Sequence, residues 1–185
     1  SDYYTKKTDF DSLQVGGRNI LRESGYWDSL PSDYWISNGG GIELDTSTQY
    51  LGHSTIKTTV GAGIRAKINY ELDTNKTYTY SALVKADKPI KTNNTHIPLH
   101  YQIYRNSNGT DGGAFIANSY QQVIEKADNW TLLYITFKPS AKYFKPFIWA
   151  GQYISPAATM NIAYFKLEEG NKPTDWTPAP EDINT

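Results

Sequence analysis

The chain has 185 residues, of which 38% are hydrophobic and 14% aromatic, and its formal net charge is −1. That length suits one substantial domain. The near-neutral charge supplies no basic face for nucleic acid or an anionic membrane surface, and no apolar run approaches the ~18 residues that would span a bilayer.

Cysteine is absent, which removes a disulfide framework and any thiolate metal site. The 15 Tyr and 5 Trp place much of the apolar surface on side chains with a polar tip, a composition that suits strands and wet recognition faces. Long helical patterns are missing, so the expected class is all-β. Asn75, Asn93, Asn108 and Asn129 head Asn-x-Ser/Thr sequons; they would be glycan acceptors in a eukaryotic secreted protein and coincidences in a bacterial or viral one.

In chain order, residues 1–15 are polar and aperiodic until Phe10 and Leu13. They read as a linker or lead-in from a preceding domain, with one helical turn near Asp9 to Leu13. Ser1-Asp-Tyr3 carries neither an initiator Met nor a leader, which suggests a piece of something longer. Arg18 to Leu21 opens, as a first strand, the globular part expected over 16–182. The irregular stretch Glu23 to Gly41 carries Tyr26, Trp27, Tyr34 and Trp35, and these rings either fold back over the core edge or are displayed.

Strands are expected at 41–45, 55–60 and 64–68. A turn of Asp/Asn chemistry at Leu72 to Lys76 leads into the strongest strand, Lys76 to Ala86. In 97–104, Ile97, Leu99, Tyr101 and Ile103 share a core face, and His100, Gln102 and Tyr104 share the other. Further strands fall at 130–137, 145–153 and 161–168, with 114–124 ambiguous. Pro146 argues against a central position for its strand unless it begins it. Short strands with turn signals and no βαβ alternation make a two-sheet antiparallel sandwich. The last strand leads through Glu169-Gly-Asn171 into a Pro-spaced arm whose Trp176 is expected to seal the open end of the sandwich.

No pattern announces an enzyme. His53, His96 and His100 lack metal-ligand spacing, and His96 and His100, four apart on a strand, stand about 13 Å from each other. There is no nucleophile elbow, and no two carboxylates are singled out as a glycosidase pair. Gly61-Ala-Gly63 and Gly39-Gly-Gly41 are not phosphate loops. Asp9, Asp11, Asp73, Asn75 and Asp111 sit in oxygen-rich turns without the twelve-residue Ca²⁺ loop. A structural Ca²⁺ held by scattered oxygens would leave no signature, solvated turns are the simpler reading, and no cofactor is implied.

What remains is recognition. A sugar offers apolar C–H faces and hydroxyls, so its site needs flat rings beside planar hydrogen-bonding groups. Trp27, Trp35, Tyr104, Trp149 and Tyr153, with His100 and Gln102, make the candidate ligand set. For Trp130 and Trp176 a packing role is expected.

Lys166-Leu-Glu-Glu-Gly-Asn-Lys-Pro-Thr-Asp-Trp-Thr-Pro-Ala-Pro-Glu-Asp182 resembles the ending of domains in tail and baseplate proteins of phages that infect Gram-positive bacteria. Gly17-Arg-Asn-Ile-Leu21 is similar to their opening; Lys76 to Ser81 and Asn129-Trp130 before Leu133 to Phe137 are similar to their middle landmarks. The resemblance spans roughly residues 16–182. It implies a jelly-roll sandwich similar to carbohydrate-binding modules, carried on an accessory baseplate protein, distal tail protein or tail fibre of the virion. The partners implied are cell-wall or surface polysaccharide and other baseplate proteins. Asn19, Glu168, Asp175 and Trp176 are expected to determine the fold, not to touch sugar. A structural or adaptor domain that binds no sugar is the alternative.

Overall fold

Alternating apolar and polar residues, dense in β-branched and aromatic types, favour strands with one buried face. The computed structural model describes residues 17–92, 98–110, 114–116, 123–149, 154–155 and 157–183, with backbone alone at 91–92, 114–116 and 154–155. The strands in chain order are β1 (Trp35–Asn38), β2 (Ile42–Tyr50), β3 (His53–Thr58), β4 (Gly63–Ala66), β5 (Tyr70–Glu71), β6 (Tyr78–Ala86), β7 (Lys91–Thr92), β8 (Leu99–Tyr104), β9 (Ala114–Ile116), β10 (Thr131–Phe137), β11 (Tyr143–Trp149), β12 (Ile154–Ser155) and β13 (Met160–Glu169); one helical turn, α1 (Pro180–Ile183), follows.

All pairings between these strands are antiparallel. One sheet runs β1-β4-β11-β8-β9, with β5 also paired to β11; the other runs β10-β6-β13-β3-β2; β12 and β7 form a small ribbon. The two large sheets face each other as a jelly-roll sandwich. The inner faces interleave rings: Trp35 stacks on Phe165 at 4.5 Å between centroids, Tyr101 on Phe137 at 4.3 Å, and Tyr80 meets Phe144 edge-on at 5.4 Å. Leu99, Tyr101 and Ile103 are buried as their alternation required. The buried Tyr80 hydroxyl donates to the Phe147 carbonyl at 2.7 Å, which removes the cost of an orphaned polar group.

Several expectations change. Trp35 belongs to β1, an edge strand inside the stretch read as loop, and its indole N–H donates to the Arg22 carbonyl at 3.0 Å. Trp27 donates to the Glu23 carbonyl at 2.7 Å. With both donors satisfied, the rings fold back into the core at 3% and 2% exposure for Trp27 and Trp35. Their placement in a ligand site is therefore corrected.

Residues 18–21 form no strand. They lie along β13, where Ile20 N–H reaches the Leu167 carbonyl at 2.8 Å. Pro146 sits inside a central strand after all. On the flank opposite β8, β11 pairs with β5 at Tyr143 and Phe144 and with β4 only from Phe147, so the residue without an N–H falls in the gap between them. The lead-in 1–15 and its helical turn lie outside the described residues.

The β2–β3 hairpin was missed over Thr46 to Tyr50. Its register shifts between Asp45 and Gln49, and the Asp45 carboxylate occupies the irregularity. It accepts from Ser47 N–H and hydroxyl, Thr48 N–H and the Asn161 amide. Burial pushes its pKa up, but these hydrogen bonds dominate and hold it well below the usual carboxylate range. A depressed folded-state pKa stabilises above the unfolded value and loses that contribution as pH falls through the folded one. The parent's urea midpoint should therefore fall more steeply than that of Asp45→Asn between about pH 5 and about pH 2. Parallel curves would exclude Asp45 as a source of acid sensitivity.

Along β13 the second sheet is flanked and covered on its outer side by the two ends of the described chain. Asn19, fully buried, donates to the Ser24 hydroxyl and the Thr177 carbonyl, both at 2.9 Å, and accepts from Leu21 and Leu167 N–H. Trp176 packs against Tyr26 at 4.4 Å and donates to the Ser24 hydroxyl at 3.2 Å. A Cβ on Gly25 would lie 2.8 Å from the Trp176 ring and 2.6 Å from Tyr164 Cβ, so glycine is needed for this close approach. Trp176 thus seals the back of a sheet, not the open end of the sandwich.

Candidate functional site

Residues directly opposite on antiparallel strands share a face. In the first sheet the register sets Tyr143 beside Tyr104, Lys145 beside Gln102, and Phe147 beside both His100 and Arg65, with Trp149 beside Gly63. All of these occupy the face turned away from the core, because Phe144, Ile148, Leu99, Tyr101, Ile103 and Ile64 fill the inner one. Three of the residues expected in a site, His100, Gln102 and Tyr104, and a fourth from another strand, Trp149, are thereby brought together.

The deeper part of this face is aromatic. His100 lies 3.9 Å from the Trp149 ring and 4.8 Å from Phe147, and Phe147 meets Trp149 edge-on at 6.1 Å. Trp149 can lie across β4 only because position 63 has no side chain: a Cβ there would sit 2.3 Å from its Cδ1 and from the Ile148 carbonyl. The exposure expected for displayed rings is not found, with Trp149 at 6% and Tyr104 at 9%. They form a floor.

Above the floor stand half-exposed polar groups: Arg65, Gln102, Tyr143 and Lys145. The Tyr104 hydroxyl donates to Gln102 Oε1, and the amide nitrogen of the half-exposed Gln102 carries two further donors. Lys145 Nζ lies 5.5 Å from the Tyr104 ring centroid. Burial, and secondarily the Arg65 charge, lower the Lys145 pKa; burial raises that of Tyr104. Sequence reading missed Arg65, Lys145 and Phe147. The alternation of Ile64 to Ile68 already put Arg65 on an outward face, but nothing in the sequence said which strand lay next to it. Tyr153 lies outside the described residues.

Elsewhere the fold offers less. A cavity of about 1100 Å³ lined by Arg18, Arg22, Glu71, Lys76, Glu169 and Glu181 meets this face only at Glu71, and its charges are matched within the chain by Arg18–Glu181, Arg22–Asp182 at 2.5 Å, Lys76–Glu169 at 3.3 Å and Lys142–Glu71 at 2.9 Å. On the back of the second sheet, Tyr26 is held between His53 at 4.2 Å and Trp176 at 4.4 Å, and Trp130 contacts Tyr50 at 5.4 Å. These rings pack on one another. Among the described residues no three His, Asp or Glu side chains converge on a point that would hold a metal ion.

Neither a protein family nor a curated protein matches the sequence. Solved structures do match in fold. The CBM22-1 xylan-binding domain of Xyn10C from Paenibacillus barcinonensis aligns with a TM-score of 0.55 at 14% identity over 88% of this chain and 100% of that one. A family 16 carbohydrate-binding module aligns at 0.52 and 17% identity, over 80% and 99%. The N-terminal cellulose-binding domain of β-1,4-glucanase C from Cellulomonas fimi aligns at 0.51 and 16% identity, over 83% and 98%.

Proposed function

We propose that this chain is a non-catalytic glycan-binding module, with its saccharide site on the outer face of β4, β11 and β8. The observation that carries the reading is the joining of Gln102, Arg65, Lys145 and Tyr143 over a ring floor, on a sandwich similar to xylan- and cellulose-binding domains. Such a face offers the half-exposed Tyr143 ring and hydrogen-bonding groups at once, which is what a sugar ring needs. The ending Glu168 to Asp182 and the opening Gly17 to Leu21 further support a place on a phage tail or baseplate. There the module would hold the virion to cell-wall saccharide of a Gram-positive host. One module binds weakly, and many copies on one particle would raise retention through effective concentration.

The test is calorimetric titration of the chain with purified cell-wall polysaccharide, beside Gln102→Ala. The parent should bind in the micromolar to millimolar range. Gln102→Ala should weaken binding roughly 5- to 10-fold, as expected for one lost hydrogen bond of about 1–1.5 kcal/mol. Absence of parent binding at millimolar saccharide would sink the proposal.

One observation favours the adaptor alternative. Leu132 and Tyr134 are 41% and 48% exposed on β10, at the edge of the second sheet and beside Trp130, an apolar edge suited to another protein. That reading expects Leu132→Asp to abolish co-assembly with baseplate proteins while leaving saccharide binding intact; unchanged co-assembly would remove it.

A further inference from the structure

The outer face of the first sheet has an uneven charge distribution. Arg65 and Lys145 both rise from it, two cations flanking Phe147: Arg65 pairs with Phe147 across β4 and β11, and Lys145 precedes Phe147 by two residues on the same side of β11. Neither has a carboxylate partner among the described residues. The one acidic residue at the strand positions of this face is Glu71, opposite Tyr143, and it is already engaged by Lys142 at 2.9 Å. Two other partly buried cations are neutralised within the chain. Arg22 meets Asp182, and Lys166 meets Glu168. On this face the half-buried ammonium instead has a guanidinium for a neighbour. Like charges brought together at reduced solvation oppose folding, so the arrangement is one that an incoming anion would relieve.

We infer that the saccharide taken by this face is an acidic one, with carboxylate or phosphate groups that settle between Arg65 and Lys145 while the sugar body lies over Tyr104 and Gln102. This inference rests on the glycan-binding reading and narrows its ligand class. Arg65 supplies a planar fork able to take two oxygens of one anionic group. Lys145 supplies a point charge 5.5 Å from the Tyr104 ring centroid. Both are specificity residues: they select the charged polymer, while Gln102 and Tyr104 serve any sugar.

The experiment compares retention of the intact chain in affinity gels holding neutral xylan, sodium polygalacturonate or poly(glycerol phosphate). At low salt an acidic polymer should retain the chain about tenfold more strongly than xylan, and the preference should vanish at ~1 M salt, where charges are screened beyond about 3 Å. Preference for polygalacturonate would assign a uronate ligand, and preference for the phosphate polymer a phosphodiester one. Arg65→Gln and Lys145→Gln should each remove the preference at a melting temperature no lower than the parent's, because each relieves the like-charge pair, while Lys145→Arg should keep it. Equal retention by neutral and acidic polymers, or a preference that survives both glutamine variants, overturns the inference and leaves the glycan reading standing. No retention by any saccharide removes both.

Discussion

Replacing Lys166 with methionine is expected to lower the unfolding free energy by about 3–5 kcal/mol, read as an earlier urea midpoint with unchanged slope. The Lys166 and Glu168 side chains stand 3.7 Å apart on the back of β13, at 1% and 0% exposure. Lys166 also donates to the Thr174 hydroxyl at 2.8 Å and the Asp175 carbonyl at 2.7 Å, and Glu168 accepts from the Thr174 N–H and hydroxyl. Burial lowers the Lys166 pKa and the Glu168 charge works against that shift. Removing the lysine alone strands a carboxylate with no counter-charge in low dielectric, which is the costly case. Removing both charges is different. Lys166→Met with Glu168→Leu should recover much of the loss, because two desolvated ions are replaced by apolar volume; the Thr174 N–H left unpaired keeps recovery incomplete. Two single losses that simply add in the double variant would show that the residues are not coupled.

Trp149→Ala should unfold the protein about 3–5 kcal/mol more easily and abolish saccharide binding with it, whereas Gln102→Ala should lose affinity with a much smaller loss of stability. The contrast follows from depth, and the Tyr104 hydroxyl left without its Gln102 acceptor limits any stability loss of Gln102→Ala to about 1 kcal/mol. Trp149 packs on His100 and Phe147 and across Gly63, so deleting it opens a void that the rigid β4–β11 pairing cannot close. Gln102 is half-exposed, with its carbonyl oxygen engaged by Tyr104. Thermal melts and titrations on the same samples separate the two effects. A Trp149→Ala protein that melts like the parent would return Trp149 to the role of a displayed stacking platform.

Much of the strand order could be read along the chain. Tyr78 to Ala86, Thr131 to Phe137 and Met160 to Glu169 combine β-branched and aromatic density with turn residues at their ends. At Leu72 to Lys76, Asp73 Oδ1 accepts the Asn75 N–H at 2.9 Å, the local bond that Asp and Asn favour in turns. Trp35–Asn38 was lost because four residues among Ser, Asp and Gly carry no period of two. The far half of β2 was lost because Thr46 to Gln49 is polar and its extended shape depends on the Asp45 carboxylate and on β3.

The candidate face was half legible. Alternation alone separates His100, Gln102 and Tyr104 from Leu99, Tyr101 and Ile103, since neighbouring residues of a strand point to opposite sides. The sequence alone therefore determined the all-β class, the faces of the individual strands and the groups able to meet a sugar. It could not say that β11 would lie between β4 and β8. That adjacency puts Arg65 beside Phe147 and Lys145 beside Gln102, joining residues some 80 and 40 positions apart through pairings no local pattern encodes. Nor could it separate Trp27 and Trp35, whose indole N–H groups find backbone carbonyls in the core, from Trp149 on the outer face. Which side of a sheet a ring joins depends on which partner strand and which hydrogen-bond acceptor await it, and only the tertiary structure supplies both.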